Sequence, residues 1–330
     1  VVERDAEGRI VRELFQNPYT APCADENGVW GRAYDYNAQG QVVRVRYLDG
    51  NGAATCTAKG LAGYTLERDA SGEVVKMVSI GADGISPVLN NQKWASVELK
   101  RDASGNSVEE RYFGENGQPC LNMSGCAKMT SGYDSHGNWV NSVYYGVDGT
   151  PCLLKDGYSK WTARYDTCGN KTETAYYGVD GRPCLHKDGY SKWTARYDTC
   201  GNMTETAYYG VDGRPCLHKD GNAKISYAYD SRGNRTETVY YGEDGRPCLH
   251  KDGCAKWTAQ YDERGNMIET ASFGEDGQPC LRKDGISKMT WKYDARGNMM
   301  EVACFGVDGQ PSACFKCYAK MVFRYDERGN

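Results

Sequence analysis

The chain has 330 residues and a formal net charge of −4, with 40 glycines, 25 tyrosines and 15 cysteines but only 39% hydrophobic residues. These numbers argue against a thick Leu- and Val-rich core, and the acidic balance argues against a nucleic-acid partner, because phosphate contacts need a basic face. No apolar run approaches the roughly 20 residues that a membrane-spanning helix needs, so we expect no membrane insertion.

A short motif recurs along the whole chain and sets its organisation. The motif has the pattern Y/R-D-x-x-G-N, and its glycine serves as an anchor for aligning the copies. The anchors are Gly8, Gly40, Gly72, Gly105, Gly137, Gly169, Gly201, Gly233, Gly265, Gly297 and Gly329. Every step is 32 residues, as from Gly8 to Gly40, except the step of 33 from Gly72 to Gly105. Periods of about 20 to 50 residues are typical of solenoids, propellers and wound sheets. We therefore expect residues 1–330 to form one array of about ten units, an excerpt from a longer array.

One central copy represents the unit in chain order. Trp193–Tyr197 alternates large or apolar with polar residues, which predicts a β-strand. Asp198–Gly201 predicts a type I turn, because aspartate accepts backbone N–H bonds and glycine tolerates positive φ. Met203–Tyr209 predicts the second strand of a hairpin, and glycine turns at Gly210–Gly213 and Lys219–Gly221 lead into the next unit. Since no segment has helical periodicity, the predicted fold is all-β: an elongated tandem β-hairpin array, either a β-solenoid or a wound antiparallel sheet.

Two columns of the repeat indicate how the strands face. Eight residues before the anchor the column is large and apolar, which predicts an inward position, with Arg32 as the exception. Its other members are Tyr64, Val97, Met129, Trp161, Trp193, Ile225, Trp257, Met289 and Met321. Four residues before the anchor the column holds tyrosine, replaced by arginine at Arg4, Arg68 and Arg101. A position that accepts both residue types indicates a rim, where an amphipathic side chain covers the sheet and keeps its tip in water.

The motif Tyr165-Asp166-Thr167-Cys168-Gly169-Asn170 and its copies resemble the YD repeats of the RHS and teneurin-type families. The resemblance covers nearly the whole chain. It implies an extended β-sheet that forms a shell or a surface-exposed structure, in toxin delivery or adhesion. It transfers no catalytic residue to this chain.

Cysteines recur directly after a repeated proline. The column contains Cys23, Cys120, Cys152, Cys184, Cys216, Cys248 and Cys280. One hypothesis is an extracellular or cell-surface array stapled by disulfides. The candidate pairs are Cys120 with Cys126, Cys248 with Cys254, and Cys168 with Cys200. The alternative is that cysteine is a small buried hydrophobe in a reducing compartment, so the compartment stays open.

Metal and catalytic chemistry have weak support in the sequence. A C-x-H pattern recurs at Cys184, Cys216 and Cys248, but its spacing is shorter than that of a usual zinc knuckle, so we favour solvated loop histidines. The Asp-Gly pairs lack the D-x-D-x-D-G pattern of calcium loops. His136 stands alone in a turn. A column of repeated glutamates is better explained as a solvated stripe than as an active site, and it includes Glu173, Glu205, Glu237, Glu269 and Glu301. We therefore expect no cofactor and no enzymatic activity.

Three functions remain. The first is a scaffold that presents an extended surface to a protein partner or displays itself at a surface. The second is a glycan-binding module whose candidate stacking residues are Trp94, Tyr158 and Tyr190. They lie in a column eleven residues before the anchor, and the variability of this column suggests that it is exposed. The third is a self-assembling filament or a toxin-enclosing shell. The sequence favours the scaffold over glycan binding, because the aromatic residues of that column do not persist.

Overall fold

A computed structural model describes residues 1–313 and 318–326, so the predicted turn at Gly329 lies outside the described residues. Backbone contacts divide the chain into two compact units. Unit 1 comprises Val1–Trp161 with Gly178–Gly181, and unit 2 comprises Thr162–Tyr177 with Arg182–Asn330.

Throughout the described ranges, the regular elements are β-strands, which confirms the all-β prediction. Unit 1 contains β1 (Val2–Arg4), β2 (Ile10–Leu14), β3 (Gly31–Tyr36), β4 (Val42–Leu48), β5 (Gly63–Arg68), β6 (Val74–Ile80), β7 (Ser96–Arg101), β8 (Ser107–Phe113), β9 (Lys128–Tyr133) and β10 (Trp139–Tyr145). The strand β11 (Lys160–Tyr165) begins in unit 1 and ends in unit 2. Unit 2 continues with β12 (Lys171–Tyr177), β13 (Lys192–Tyr197), β14 (Met203–Tyr209), β15 (Lys224–Tyr229), β16 (Arg235–Tyr241), β17 (Lys256–Tyr261), β18 (Met267–Phe273), β19 (Lys288–Tyr293), β20 (Met299–Phe305) and β21 (Lys320–Val322). Within these same residues, no helix is long and apolar enough to cross a bilayer.

Consecutive strands pair antiparallel in each unit. In unit 2, β13 and β14 form a hairpin in which Trp193 opposes Tyr208, with a bulge between Arg196 and Tyr197. The next hairpin joins it through β14 and β15, which also run antiparallel. Unit 1 shows the same alternation, as in the hairpin of β5 with β6 and the junction of β6 with β7. Within each unit the array is therefore an antiparallel meander, the second of the two predicted arrangements.

The hairpin turn forms as the sequence predicts. The Asp198 carboxylate accepts the backbone N–H groups of Cys200 and Asn202 at 2.9 Å, and its second oxygen accepts the Asn202 side-chain amide at 3.0 Å. These bonds hold the pKa of Asp198 below its ordinary value, the Asn202 side-chain bond being the main cause. Gly201 closes the turn at φ +84°, a conformation that glycine adopts without steric cost.

The connection between hairpins is tied to strands on both sides. The N–H of Cys216 donates to the Tyr208 carbonyl at 3.1 Å, and the N–H of Tyr208 donates to the Ala223 carbonyl at 2.8 Å. Ala223 in turn donates to Tyr241 of the next hairpin at 2.8 Å. In most repeats a small side chain lies where these backbones meet, although Trp30 takes the same position in an early repeat. The buried members of this column are Ala95, Ala127, Ser159, Ser191, Ala223, Ala255 and Ser287.

The pleat gives each hairpin an aromatic face and a charged face. Trp193 and Tyr208 oppose each other on the aromatic face, whereas Arg196 and Glu205 oppose each other on the charged face. The predicted inward column lies on the aromatic face. Val97 and Trp161 are buried there, which confirms the prediction for these two residues, while most other members are half-buried.

The tyrosine and arginine column has a shared hydrogen-bonding role. The Tyr229 hydroxyl donates to the Met203 carbonyl of the preceding hairpin at 2.8 Å. The Arg68 guanidinium donates to the equivalent carbonyl, that of Val42, at 3.0 Å. Both residue types fit because both reach the same acceptor, so the tip of the side chain is bound to backbone rather than left in water.

Candidate interaction surface

The most regular exposed apolar feature is a leucine column directly after the repeated cysteine, which we call the leucine rim. Each of its side chains is about half exposed, from 44% at Leu89 to 52% at Leu153. The members are Leu89, Leu121 and Leu153 in unit 1 and Leu185, Leu217, Leu249 and Leu281 in unit 2. Covering the exposed half of such a side chain stabilises by roughly half of the 1.5–3 kcal/mol that full burial gives, so the rim has the chemistry of a contact surface.

A second column decides whether the leucine rim has an anionic or an apolar neighbour in each repeat. Glu243 accepts the backbone N–H of Leu217 at 3.2 Å, and Glu275 accepts that of Leu249 at 3.1 Å. Glu115 does the same for Leu89 in unit 1. At four other copies the glutamate is replaced by an exposed valine, which cannot accept a hydrogen bond. These copies are Val147, Val179, Val211 and Val307. The rim therefore has anionic stretches, where a glutamate binds the leucine N–H, and apolar stretches, where an exposed valine takes the place of that glutamate.

The charged face of unit 2 carries a regular ion-pair ladder rather than isolated solvated carboxylates. Glu205 lies 3.5 Å from Arg196 in its own hairpin and 3.7 Å from Lys224 in the next. Lys224 also lies over the Tyr241 ring, with its Nζ 4.5 Å from the centroid. The same glutamate column pairs with a lysine of the following hairpin at Glu173, Glu237, Glu269 and Glu301. The glutamate column thus joins successive hairpins.

The histidines of the C-x-H pattern are not solvated, which corrects the sequence interpretation. His218 is 13% exposed and stacks on Tyr208 with ring centroids 4.8 Å apart. Its Nδ1 accepts the backbone N–H of Asp220 at 3.2 Å, and its Nε2 lies 4.0 Å from the carboxylate of Asp188 in the preceding repeat. Burial lowers the pKa of His218 despite the two carboxylates, so the neutral imidazole is favoured. Lys219 completes the cluster by binding Asp188 at 2.8 Å.

No group of three or more His, Cys, Asp or Glu side chains in residues 1–313 and 318–326 has an arrangement that could hold a metal ion. The ring nitrogens of His218 and His250 are instead occupied by backbone and carboxylate contacts of the repeat.

The three candidate glycan-stacking residues lie against the hairpins rather than in solvent. Tyr190 is only 7% exposed and packs against Tyr208 at 5.0 Å, so the expectation that its column is exposed is wrong at this position. Trp94 and Tyr158 are half-buried, and Tyr158 packs edge-on against Tyr144 at 5.9 Å. At Tyr158 and Tyr190 the aromatic rings therefore pack against the tyrosines of the hairpins.

None of the three candidate disulfides is present, since Cys120, Cys126, Cys168, Cys200, Cys248 and Cys254 are all free thiols in the structure. Cys168 and Cys200 are exposed at equivalent turns of successive antiparallel hairpins. Two strand spacings, about 9.5 Å, separate such turns, which exceeds the Cα separation of roughly 4.4–6.8 Å in a disulfide. Cys126 is buried and directed at Asn122, whereas Cys120 is directed at the Lys93 carbonyl.

The cysteine column has a structural role that the sequence did not reveal. The Cys248 thiol lies 3.5 Å from the Gly221 carbonyl of the preceding repeat, and Cys216 makes the same contact with Gly189 at 3.7 Å. Ser312 occupies the column in a later repeat and donates its hydroxyl to Gly285 at 3.1 Å. Burial raises the pKa of the Cys216 and Cys248 thiols, which keeps them protonated as donors. Cys304, outside this column, is disulfide-bonded.

The leucine rim was not singled out from the sequence, although its signal was present. An apolar residue that recurs after Pro-Cys between two glycine turns cannot be buried by its own short connection. The alternation of valine with glutamate at Val211 and Glu243 is a second visible signal.

No protein-family model and no curated protein matches the chain at a significant level. Among solved structures, the crystal structure of TcdB2-TccC3 without its hypervariable C-terminal region is similar to this chain with a TM-score of 0.50 at 15% identity. The match covers 100% of this chain but only 16% of that chain. A structure of the Tc holotoxin pore from Photorhabdus luminescens matches with a TM-score of 0.32 at 13% identity, covering 99% of this chain and 18% of the other. The first likeness concerns the fold alone, and it supports a YD-like repeat architecture.

Proposed function

We propose that this chain is a non-enzymatic β-repeat scaffold that uses its leucine rim to bind a partner protein. The observation that carries the proposal is the recurrence of a half-exposed leucine at one position of seven successive repeats. Scattered exposed leucines are common, but a periodic row of them is costly to keep in water unless it is covered.

The apolar stretches of the rim, where valine replaces glutamate, favour a protein as the partner. In unit 1, Leu121 and Leu153 are accompanied by the exposed Val147 and Val179. Since valine leaves the leucine N–H without the carboxylate that glutamate supplies elsewhere, a partner's backbone carbonyl fits there beside apolar side chains. Glycan binding is less well supported, because Tyr190, a proposed stacking residue, is buried.

Site-specific photo-cross-linking in the native cells tests the proposal. A benzophenone amino acid at Leu153 or Val179 is expected to give a discrete adduct with a partner protein. The same probe at Ser104, which is exposed in a hairpin turn, serves as the matched control. The adduct at position 179 should disappear when Leu153 is changed to Asp. Equal labelling at Ser104, or adducts insensitive to that change, would contradict the proposal. Adducts with a second copy of the chain would identify self-association.

A further inference from the structure

Beyond the rim, an aromatic stack in unit 2 loses its rings along the chain, beginning with Asn222 in place of Tyr190. In the first part of the stack, the Tyr190 ring packs against Tyr176 at 5.8 Å and Tyr208 at 5.0 Å, and His218 lies 5.6 Å from it. Two repeats later, 64 residues on, three of these rings are absent together. Cys254 occupies the position equivalent to Tyr190, Ser272 that of Tyr208 and Arg282 that of His218.

The loss of these rings leaves a cleft of about 220 Å³ on the aromatic face. Its lining includes Tyr240, Trp257, Cys254, Ser272, Asp252 and Arg282. Cys254 and Ser272 are buried at its base, 3% and 4% exposed. An apolar cavity of about 150 Å³ is large enough to bind benzene, so the space accepts an aromatic ring.

One ring equivalent to a wall of the Tyr190 site is retained at the cleft, together with a neighbouring tryptophan. Tyr240 is the equivalent of Tyr176 and stacks on His250 with ring centroids 4.4 Å apart. Trp257 is the equivalent of Trp193, and Arg235 lies over its ring at 4.8 Å. A tyrosine ring is therefore the shape that this face already accommodates at the earlier copy.

The polar side of the cleft is also changed. Asp188 and Asp220 are bound by a lysine of the following repeat, at 2.8 and 3.0 Å, and are 18% and 22% exposed. Asp252, their next equivalent, is 60% exposed. Arg282 is held by Asp284 at 2.7 Å at the same opening. The carboxylate of Asp252 is thus placed to accept a hydrogen bond from a ligand hydroxyl.

We infer that the cleft beside Cys254 is a binding site for a phenolic ring, supplied by a free small molecule or by a tyrosine side chain of a partner. The bound ring takes the place of Tyr190 in the earlier copy, edge-on to Tyr240. The inference is independent of the leucine rim, because none of its residues belongs to the rim.

Ligand-observed ¹⁹F NMR with 4-fluorophenol tests the inference on the full chain. We expect saturable line broadening with the wild type. Cys254→Tyr and Ser272→Tyr each restore a ring found at that position in other repeats, and each should abolish the broadening. Cys248→Ser introduces the residue that Ser312 already supplies in the same column, and it should leave the broadening unchanged. Circular dichroism establishes whether the variants fold. If Cys254→Tyr does not fold, the loss of broadening in Ser272→Tyr tests the inference.

A competition experiment distinguishes the two sources of the ring. Displacement of 4-fluorophenol by acetyl-Gly-Tyr-Gly-amide, but not by acetyl-Gly-Leu-Gly-amide, supports a tyrosine side chain. Binding of the phenol without displacement by either peptide supports a free phenolic molecule. No broadening with the wild type, or equal broadening in both filled variants, overturns the inference.

Discussion

In unit 1, β3 and β5 begin with Gly31 and Gly63, whereas the later strand β9 begins with Lys128 and the hairpins of unit 2 begin with lysine, as at Lys192 and Lys224. The charged face differs as well. In unit 1, Glu67 lies 3.9 Å from Lys76 across the hairpin, and in unit 2 the same two positions hold Arg196 and Glu205 at 3.5 Å with the charges reversed. The hairpin pairing is nonetheless the same in both.

The comparison distinguishes turn positions, which the backbone conformation requires, from strand positions, where the side chains differ between the two units. The positions that persist are the turn aspartate or asparagine and the turn glycine, which fix the chain reversal. On the strands, charged residues change in opposed pairs, so the ion pair across the hairpin is kept. Tyrosine and arginine replace each other where both donate to the same backbone carbonyl. Substitutions at matched positions of the two units test this distinction.

Gly63→Ala is expected to have the largest effect. A Cβ at Gly63 would overlap the Val45 carbonyl oxygen, and the residue has φ +151°. Relieving that overlap requires a backbone shift, so we expect a loss of about 3 kcal/mol or more in unfolding free energy. Lys192→Ala, at the same column of unit 2, removes a cation–π contact with Tyr209 and an ion pair with Glu173 at 3.8 Å, and should cost only about 1 kcal/mol. Urea unfolding followed by circular dichroism measures both, and similar losses would contradict the prediction.

Asp188→Asn should have a moderate effect that depends on pH. The hydrogen bond from Lys219 lowers the pKa of Asp188 below 3.8, so its stabilising contribution is complete above that pH and is lost as the pH falls through the lowered value. We expect the variant to lose about 1–2 kcal/mol at pH 7. The difference from the wild type should shrink in urea unfolding near pH 3. Ser124→Ala, at the equivalent uncharged position of unit 1, should show no such pH dependence.

Tyr229→Phe tests the acceptor shared by tyrosine and arginine. Removing the hydroxyl leaves the Met203 carbonyl without its 2.8 Å donor, at a cost of about 1 kcal/mol. Tyr229→Arg should recover most of this loss, because Arg68 and Arg101 serve the same acceptor in unit 1. Thermal unfolding of the two variants side by side gives the answer. If Tyr229→Arg lowers the stability as much as Tyr229→Phe does, arginine does not replace the tyrosine hydrogen bond in unit 2.

The residues that make the turns and strands could be predicted from the sequence because their requirements are local. Even so, Lys93 adopts φ +66° where the next repeat has Gly125, so a turn can persist without its glycine when the surrounding hydrogen bonds hold it. The burial of Tyr190 could not be predicted, because it depends on rings at Tyr176 and Tyr208 that only the pairing of hairpins brings together. The cleft beside Cys254 arises for the same reason, from three substitutions that are far apart in sequence.

Reversing one charge pair of unit 2 should have the smallest effect and tests whether sign matters at all. Glu205→Lys places a third cation beside Arg196 and Lys224, so we expect a loss of about 0.5–1 kcal/mol that falls with added salt. The double variant Arg196→Glu with Glu205→Lys recreates the arrangement of Glu67 and Lys76 within the hairpin. It should regain part of the loss, since Lys224 still faces the introduced lysine. A double-mutant cycle in urea, at low and high salt, measures the coupling. A coupling free energy of zero would mean that both orientations occur because the ion pair adds nothing to stability. A favourable coupling would mean that either orientation forms a stabilising pair.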